Sequence, residues 1–244
     1  MPVESVTALK ICSTEIIESD MEFSLVRRDC IALLIGAGIT GACYAQSAMA
    51  SAPAQTSKSS AVILVVGDSL SAEYGLQRGS GWVALLERRL DGEKMRAKVV
   101  NASISGDTTS GGRSRLAALI QQHQPNLVVI ELGGNDALRG LPLSMTQDNL
   151  QTMTQMSQKS GAKVLLAGMQ VPPNYGQRYA QDFVDSYAKV AKDSGATLVP
   201  FFLKGVADGP NPTALFQADR IHPTEAAHPI ILNTMWTPIK KLLQ

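Results

Sequence analysis

The chain is 244 residues long, enough for one ordinary domain with an appendage and too short for two comfortable ones. Hydrophobic residues make up 45% and charged residues 18%, a mix that fills a globular interior and excludes a mostly disordered polymer. A formal net charge of +1 gives no broad positive field and no local basic patch replaces one, so nucleic acid is not an expected partner and a small or neutral molecule is.

Charge and cysteine are unevenly spread. The first fifty residues hold three basic and six acidic side chains and all three cysteines, Cys12, Cys30 and Cys43. The remainder carries nineteen basic and fifteen acidic side chains and no thiol, which suits an oxidising compartment. Arg27 and Arg28 precede an apolar stretch at 31–43, followed by the small residues around Ala48, Met49, Ala50 and Ser51. A charged head, an apolar stretch too short for the roughly 20 residues of a bilayer span, and an A-x-A site describe an export signal. Cleavage is expected after Ala50 and a periplasmic location follows. A buried core helix is the competing reading, disfavoured by Gly36, Gly38, Gly41 and the lack of an amphipathic face. Met21 is a candidate start, because residues 1–20 are mixed and acidic and lie ahead of the positive head. Residues 51–60, rich in Ser, Ala, Gln and Lys, read as a linker, leaving 61–244 as the folded domain.

In that domain the apolar runs 61–66 (AVILVV), 98–101, 127–132, 164–169 and 197–200 have strand length, and unbroken apolar strands imply burial on both faces. Helix-length stretches lie between them at 82–90, 110–123, 145–159 and 179–194. A last one starts at Pro229 and runs towards Leu242, with Pro238 expected to bend it. Five rounds of strand and helix predict an α/β fold with a parallel sheet between helices, right-handed crossovers, and ligands bound beyond the carboxyl ends of the strands. No membrane-spanning segment interrupts the domain.

Chemistry should therefore sit in the strand-to-helix loops. The first strand ends in Gly67-Asp68-Ser69-Leu70-Ser71, which raises the Ser69 hydroxyl above the sheet, near the positive end of the next helix. Alone, such a serine is more often a turn or cap residue. The G-x-S-x-G elbow of α/β-hydrolases is absent, because Ser71 fills the final glycine position. A serine needs a base, and there are three histidines. His123 ends a helix and His228 has no carboxylate at useful spacing, whereas His222 follows Asp219 by three residues in Asp219-Arg220-Ile221-His222-Pro223. In a turn that spacing lets a carboxylate reach the imidazole, though an Asp–His pair is common enough by chance to need company. The loops Asn101-Ala102-Ser103-Ile104-Ser105-Gly106-Asp107 and Gly133-Gly134-Asn135-Asp136 offer a glycine N–H and an asparagine amide suited to an oxyanion, or simply the residues of ordinary turns.

Together GDSLSAEYGL, NASISGDTT, QPNLVVIELGGNDALRG, PPNYG and DRIHP resemble, in order, the motifs of the SGNH (GDSL) hydrolases, and within them the bacterial thioesterase, lysophospholipase and arylesterase branch. The resemblance covers nearly all of 61–242. It implies a three-layer α/β/α, flavodoxin-like fold with a five-stranded parallel sheet and neither metal nor cofactor. It implies Ser69 as nucleophile with Asp219 and His222 as its triad partners, and an oxyanion hole of the Ser69 N–H, Gly106 and Asn135. It also implies an acyl site along Leu138, Leu141, Pro172, Pro173 and Tyr175. Asp68 and Asp107 are expected to accept hydrogen bonds from loop backbones, and Asp136 to hold the Asn135 loop.

Two positions depart from the pattern: Glu73 stands where the thioesterase pattern has glycine, and Arg220 where many members have glycine between Asp and His. Neither touches the catalytic atoms, but both put acyl-length preference in question. The expected activity is hydrolysis of acyl esters and thioesters, including aryl esters, acyl-CoA and lysophospholipids, by a monomer. The alternatives are a carbohydrate O-acetylesterase of the same superfamily, a non-catalytic periplasmic lipid-binding protein, and a nucleotide-binding flavodoxin-like module. The last lacks a phosphate-binding glycine fingerprint.

Overall fold

A computed structural model describes residues 60–244. The expected export signal at 1–50, its cleavage site and nearly all of the 51–60 linker lie outside the described residues.

Five strands form one parallel sheet: β1 (Ala61–Gly67), β2 (Ala97–Asn101), β3 (Leu127–Glu131), β4 (Lys163–Ala167) and β5 (Thr197–Val199). Their order is β2-β1-β3-β4-β5, so the chain reverses direction across the sheet beside β1. The central strands are as buried as their apolar sequences require: Ile63 to Val66 and Leu127 to Ile130 are fully enclosed. The two edge strands are not. β2 has no fully buried residue, with Lys98 and Asn101 exposed, and β5 is only partly covered, so burial on both faces holds for three strands of the five. An edge strand lacks a neighbour on one side, and composition alone does not reveal which strands are edges.

The connecting helices are α1 (Trp82–Gly92), α2 (Thr109–His123), α4 (Leu143–Lys159), α5 (Gln177–Ser194) and α6 (His228–Leu243), with a short α3 (Gly134–Leu138) that the apolar pattern does not signal. Right-handed crossovers put α1 on one face and α2, α4 and α5 on the other. In agreement, α2 packs on α4 and α4 on α5, while α1 pairs with α6. Each helix buries a stripe at helical spacing: Trp82, Val83, Leu86 and Leu90 on α1, and Phe183, Tyr187, Val190 and Ala191 on α5. α6 continues through Pro238 to Leu243. Among the described residues no helix is long and apolar enough to cross a membrane.

One buried histidine joins the two helices of the α1/α6 face. His228, 1% exposed, turns its Nδ1 to accept the backbone N–H of Trp82 at 3.0 Å. This N–H is one of the unpaired donors at the start of α1, and an imidazole accepts it only while Nδ1 is unprotonated. Burial accordingly pulls the His228 pKa down to about 4. The unfolded chain then binds a proton that the folded one resists, so this group's stabilisation is present above about pH 6.5 and is lost as pH falls towards 4. We expect His228→Ala to lower stability at pH 7 by about 1–3 kcal/mol, the cost of an orphaned buried N–H. Urea unfolding of wild type and variant should show that gap closing between pH 6.5 and 4; a constant gap would contradict this role.

Candidate active site

β1 ends at Gly67, beside the point where strand order reverses, and the chain then coils through residues 68–74. Asp68 O accepts the N–H groups of Ser71 and Ala72 at 3.2 and 3.0 Å, and Ser69 O that of Tyr74 at 3.3 Å. α1 begins only at Trp82, so Ser69 sits in this turn and not at a helix N-terminus, which corrects the expectation of a helix end beside its hydroxyl. Gly67 is constrained by close approach. A Cβ there would lie 2.7 Å from Glu131 Oε2, 2.8 Å from Ser71 Oγ and 2.9 Å from Ser103 Oγ.

Asp219 and His222 come from the loop between β5 and α6. Asp219 Oδ1 accepts the backbone N–H groups of Ile221 and His222, each at 3.0 Å, while Oδ2 lies 2.7 Å from His222 Nδ1. One carboxylate thus builds the turn and orients the ring, which is the physical content of the three-residue spacing. These N–H groups, backbone first and imidazole after, hold the Asp219 carboxyl down at about 2. With Nδ1–H directed at Asp219, Nε2 is left as an acceptor, and it lies 2.9 Å from Ser69 Oγ. The Tyr74 ring covers the imidazole at 4.2 Å between centroids, and Gln217 ties the two loops by donating Nε2–H to the Tyr74 and Pro223 carbonyls. Sequence reading missed both; nothing in the local pattern marks either.

Asn135 is the second residue of α3 and joins the other two loops. Its Nδ2 donates to Asp68 Oδ2 and to the Asp107 carbonyl, both at 3.0 Å, so it touches the neighbours of Ser69 and of Gly106 at once. Gly106 takes φ +79°, and its carbonyl accepts from Arg139 at 2.6 Å. Among the described residues neither the Ser69 nor the Gly106 backbone N–H has an acceptor, which leaves two donors free for an anion.

The acidic residues here have separate duties. Asp107 accepts the Thr108 N–H, but its main partner is the Arg115 guanidinium at 2.7 Å, which also binds the Ala102 carbonyl. Asp136 is fully buried and takes the Thr109 N–H at 2.9 Å and the Thr109 and Thr146 hydroxyls, pinning α3 to α2 and α4. Glu131 also is fully buried and, among the described residues, faces no cation. Its Oε2 accepts from Ser71 Oγ at 2.7 Å, and Ser71 in turn accepts from Trp82 Nε1 at 3.0 Å. Burial, then the nearby Asp68, push the Glu131 carboxyl well above its ordinary range and favour the neutral acid. The one charged residue inside the apolar run 127–132 was the signal for it.

Of the acyl-site candidates, Leu138 ends α3 and is half exposed, and Leu141 follows it with its N–H on the Asp136 carbonyl. Pro172 and Pro173 lie at the start of a 3₁₀ turn closed by Tyr175, whose ring stacks on Tyr179 at 5.9 Å. Tyr74, Ile104 and Ile221 are also large exposed apolar side chains; Tyr74 and Ile221 lie beside His222, and Ile104 is in the loop of Gly106. A cavity of about 990 Å³ lies elsewhere, along β5 and α6 (Lys163, Val199, Phe201, Pro238), and includes none of these residues. Among the described residues no group of three or more His, Cys, Asp or Glu is arranged to hold a metal ion.

A doubly wound parallel sheet carrying a hydrogen-bonded Asp–His–Ser chain beside unpaired N–H donors defines a serine hydrolase. Residues 65–230 match the model of the GDSL-like lipase/acylhydrolase family, and the chain belongs to that family. It is 52% identical over 181 residues to Esterase TesA of Pseudomonas aeruginosa, an alignment covering 74% of this chain and 89% of that one. It is 41% identical over 181 residues to thioesterase 1/protease 1/lysophospholipase L1 of Escherichia coli, covering 74% and 84%. Among solved structures it superposes with TM-score 0.70 on the psychrotrophic esterase EstA from Pseudoalteromonas sp., inhibited by monoethylphosphonate, at 43% identity over 75% of this chain and 98% of that one. The protein is thus a hydrolase of the esterase and thioesterase type.

Gly67→Ala tests the crowding under the serine. Overpacking of this kind costs about 1–3 kcal/mol, with Tm falling about 2–4 °C per kcal/mol in a chain of this size. An unchanged melting curve would mean that the three oxygens move aside freely.

Proposed function

We propose that the chain hydrolyses acyl esters and thioesters, among them aryl esters, acyl-CoA and lysophospholipids, by two-step acyl transfer through Ser69. The single observation that supports it is the continuous hydrogen-bond chain from Asp219 through His222 to Ser69 Oγ. The Ser69 hydroxyl attacks the acyl carbonyl as His222 Nε2 takes its proton. The tetrahedral oxyanion is held by the Ser69 and Gly106 N–H groups and the Asn135 amide. Asp219 stabilises the imidazolium, which returns its proton to the leaving alcohol or thiol. Water, activated by the same imidazole, then attacks the acyl-enzyme and releases the carboxylic acid. The acyl chain lies along Leu138, Leu141, Pro172, Pro173 and Tyr175. The names of the relatives, an esterase and a thioesterase/protease/lysophospholipase, favour this reading over an acetylesterase of sugars. We further propose that residues 1–50 direct export to the periplasm with removal near Ala50, that 51–60 link the signal to the domain, and that the mature chain acts as a monomer.

Ser69→Ala and His222→Ala should each lower kcat on a p-nitrophenyl ester by about 10⁴–10⁶. Asn135→Ala should cost about 3 kcal/mol of transition-state stabilisation. Full turnover by Ser69→Ala, or absence of an organophosphonate adduct on Ser69 in the wild type, would refute the nucleophile.

Acyl-length preference gives a second test. Leu138→Ala and Tyr175→Ala should weaken kcat/KM on long-chain p-nitrophenyl esters by about 10-fold or more while sparing the acetate, because each large apolar side chain removed is worth about 1.5–3 kcal/mol of buried contact. An unchanged length profile would take that residue out of the acyl site.

A further inference from the structure

The carboxylate next to the nucleophile makes a contact that loop-building does not require. Asp68 is 2% exposed; its Oδ1 accepts the Leu70 N–H at 3.0 Å, which shapes the serine turn, and its Oδ2 accepts from Asn135 Nδ2 at 3.0 Å. The second Asn135 hydrogen goes to the Asp107 carbonyl. A carboxylate and a carbonyl only accept, so together they fix which end of the amide is Nδ2 and prevent the flip to which an asparagine χ2 is otherwise prone. Without Asp68 one hydrogen bond would remain, about which the amide is free to pivot.

We propose that Asp68 is a positioning residue for the oxyanion hole: one carboxylate sets the turn of Ser69 and, through its other oxygen, holds the Asn135 amide aimed for the negative oxygen that forms beside that serine. The inference rests on the acyl-transfer reading above. Both amide hydrogens have acceptors before substrate arrives, so the oxyanion meets a donor already oriented and shares a hydrogen that Asp68 has been holding. A donor that need not reorganise during the reaction is where electrostatic catalysis gains most.

The role requires Asp68 to be ionised. The groups facing it are Glu131 from β3, Asp107 from the loop after β2, Asn135 from α3 and His222 from the loop before α6. Burial, with a smaller push from Asp107, raises the Asp68 carboxyl to about 6, against the pull of the Leu70 N–H, Asn135 and His222. Glu131, forced towards its neutral form immediately below, leaves the charge to Asp68. As pH falls through about 6, Asp68 gains a proton and loses its hold as a pure acceptor.

Asp68→Asn keeps the shape and can satisfy either Leu70 or Asn135 but not both. In a variant that melts cooperatively, we expect kcat for a p-nitrophenyl ester to fall about 10–100-fold with KM within about twofold of wild type. In the Asn135→Ala background the same change should cost less than about threefold, because effects that run through one residue do not add. The acid limb of log kcat/KM should also lose one proton's steepness near pH 6 relative to wild type. Equal losses in both backgrounds would place Asp68 in the turn alone, and a raised kcat would make it a competitor of the oxyanion; either result overturns the proposal. Wild-type adduct formation by an organophosphonate on Ser69 is measured alongside, so that failure of the Ser69 mechanism is read separately from failure of the Asp68 role.

Discussion

The site depends on how closely backbone and oxygen atoms crowd together where β1 ends. β1 lies between β2 and β3, so residues just beyond its last hydrogen bond meet loops from both neighbours. Gly67 has no side chain, and the space is filled by oxygens of Glu131, Ser71 and Ser103. That crowding anchors the serine turn on one side, while Asn101 Nδ2 holds the Ser71 carbonyl at 2.7 Å on another. Once the turn is fixed, the remaining machinery is a matter of bringing two more loops to it. The loop after β3 arrives through Asn135 and the loop before α6 through His222.

Charge is distributed around this point so that each acid has one task. Asp219 is exposed and held as an anion by three N–H groups, which suits the partner of an imidazole that would become charged in the proposed reaction. Glu131 is driven by burial and by Asp68 towards the neutral acid, where it serves as a hydrogen-bond hub for Ser71 and the turn. Asp107 is neutralised by Arg115, which clamps the ends of the first two strands through backbone carbonyls. Negative charge near the oxyanion of the proposed reaction would be unfavourable in a low-dielectric site, and pairing or protonating two of these carboxyls limits it. The backbone N–H groups of Ser69 and Gly106 provide the opposing dipoles.

The fold was largely legible because strands and helices alternate with turns at their ends, and the residues that the candidate site brings together were legible because they sit in short local motifs. Asp219 and His222 are three apart, and one turn satisfies both. What sequence could not reveal is long-range. Glu131 stands out as the one charged residue in an apolar run, but its donors, the Ser71 hydroxyl and the Asp68 N–H, are 60 and 63 positions away. Tyr74 meets His222 only because two loops are clipped together by Gln217. Edge placement of β2 and β5 depends on pairing order, which composition does not encode, and the absence of a helix directly after Ser69 depends on how the turn closes. His228, set aside for want of a carboxylate, accepts a helix N–H instead.

The two departures from the family pattern show how the local frame overrules residue preference. Glu73 has φ +60° and Arg220 φ +58°, a left-handed conformation that costs an ordinary residue about 1–2 kcal/mol. At Glu73 the side chain offsets that cost: its carboxylate accepts the N–H groups of Gly79 and Gly81 at 2.8–3.0 Å, closing the loop that carries Tyr74. Among the described residues Arg220 makes no comparable side-chain contact. Its conformation is imposed from either side, by its N–H to the Gln217 carbonyl at 2.9 Å and by the Asp219 carboxylate, which draws the next two N–H groups onto itself. The turn that orients the imidazole is therefore set by Asp219 whichever residue stands between, and glycine at this position is a convenience of the backbone and not a requirement of the chemistry.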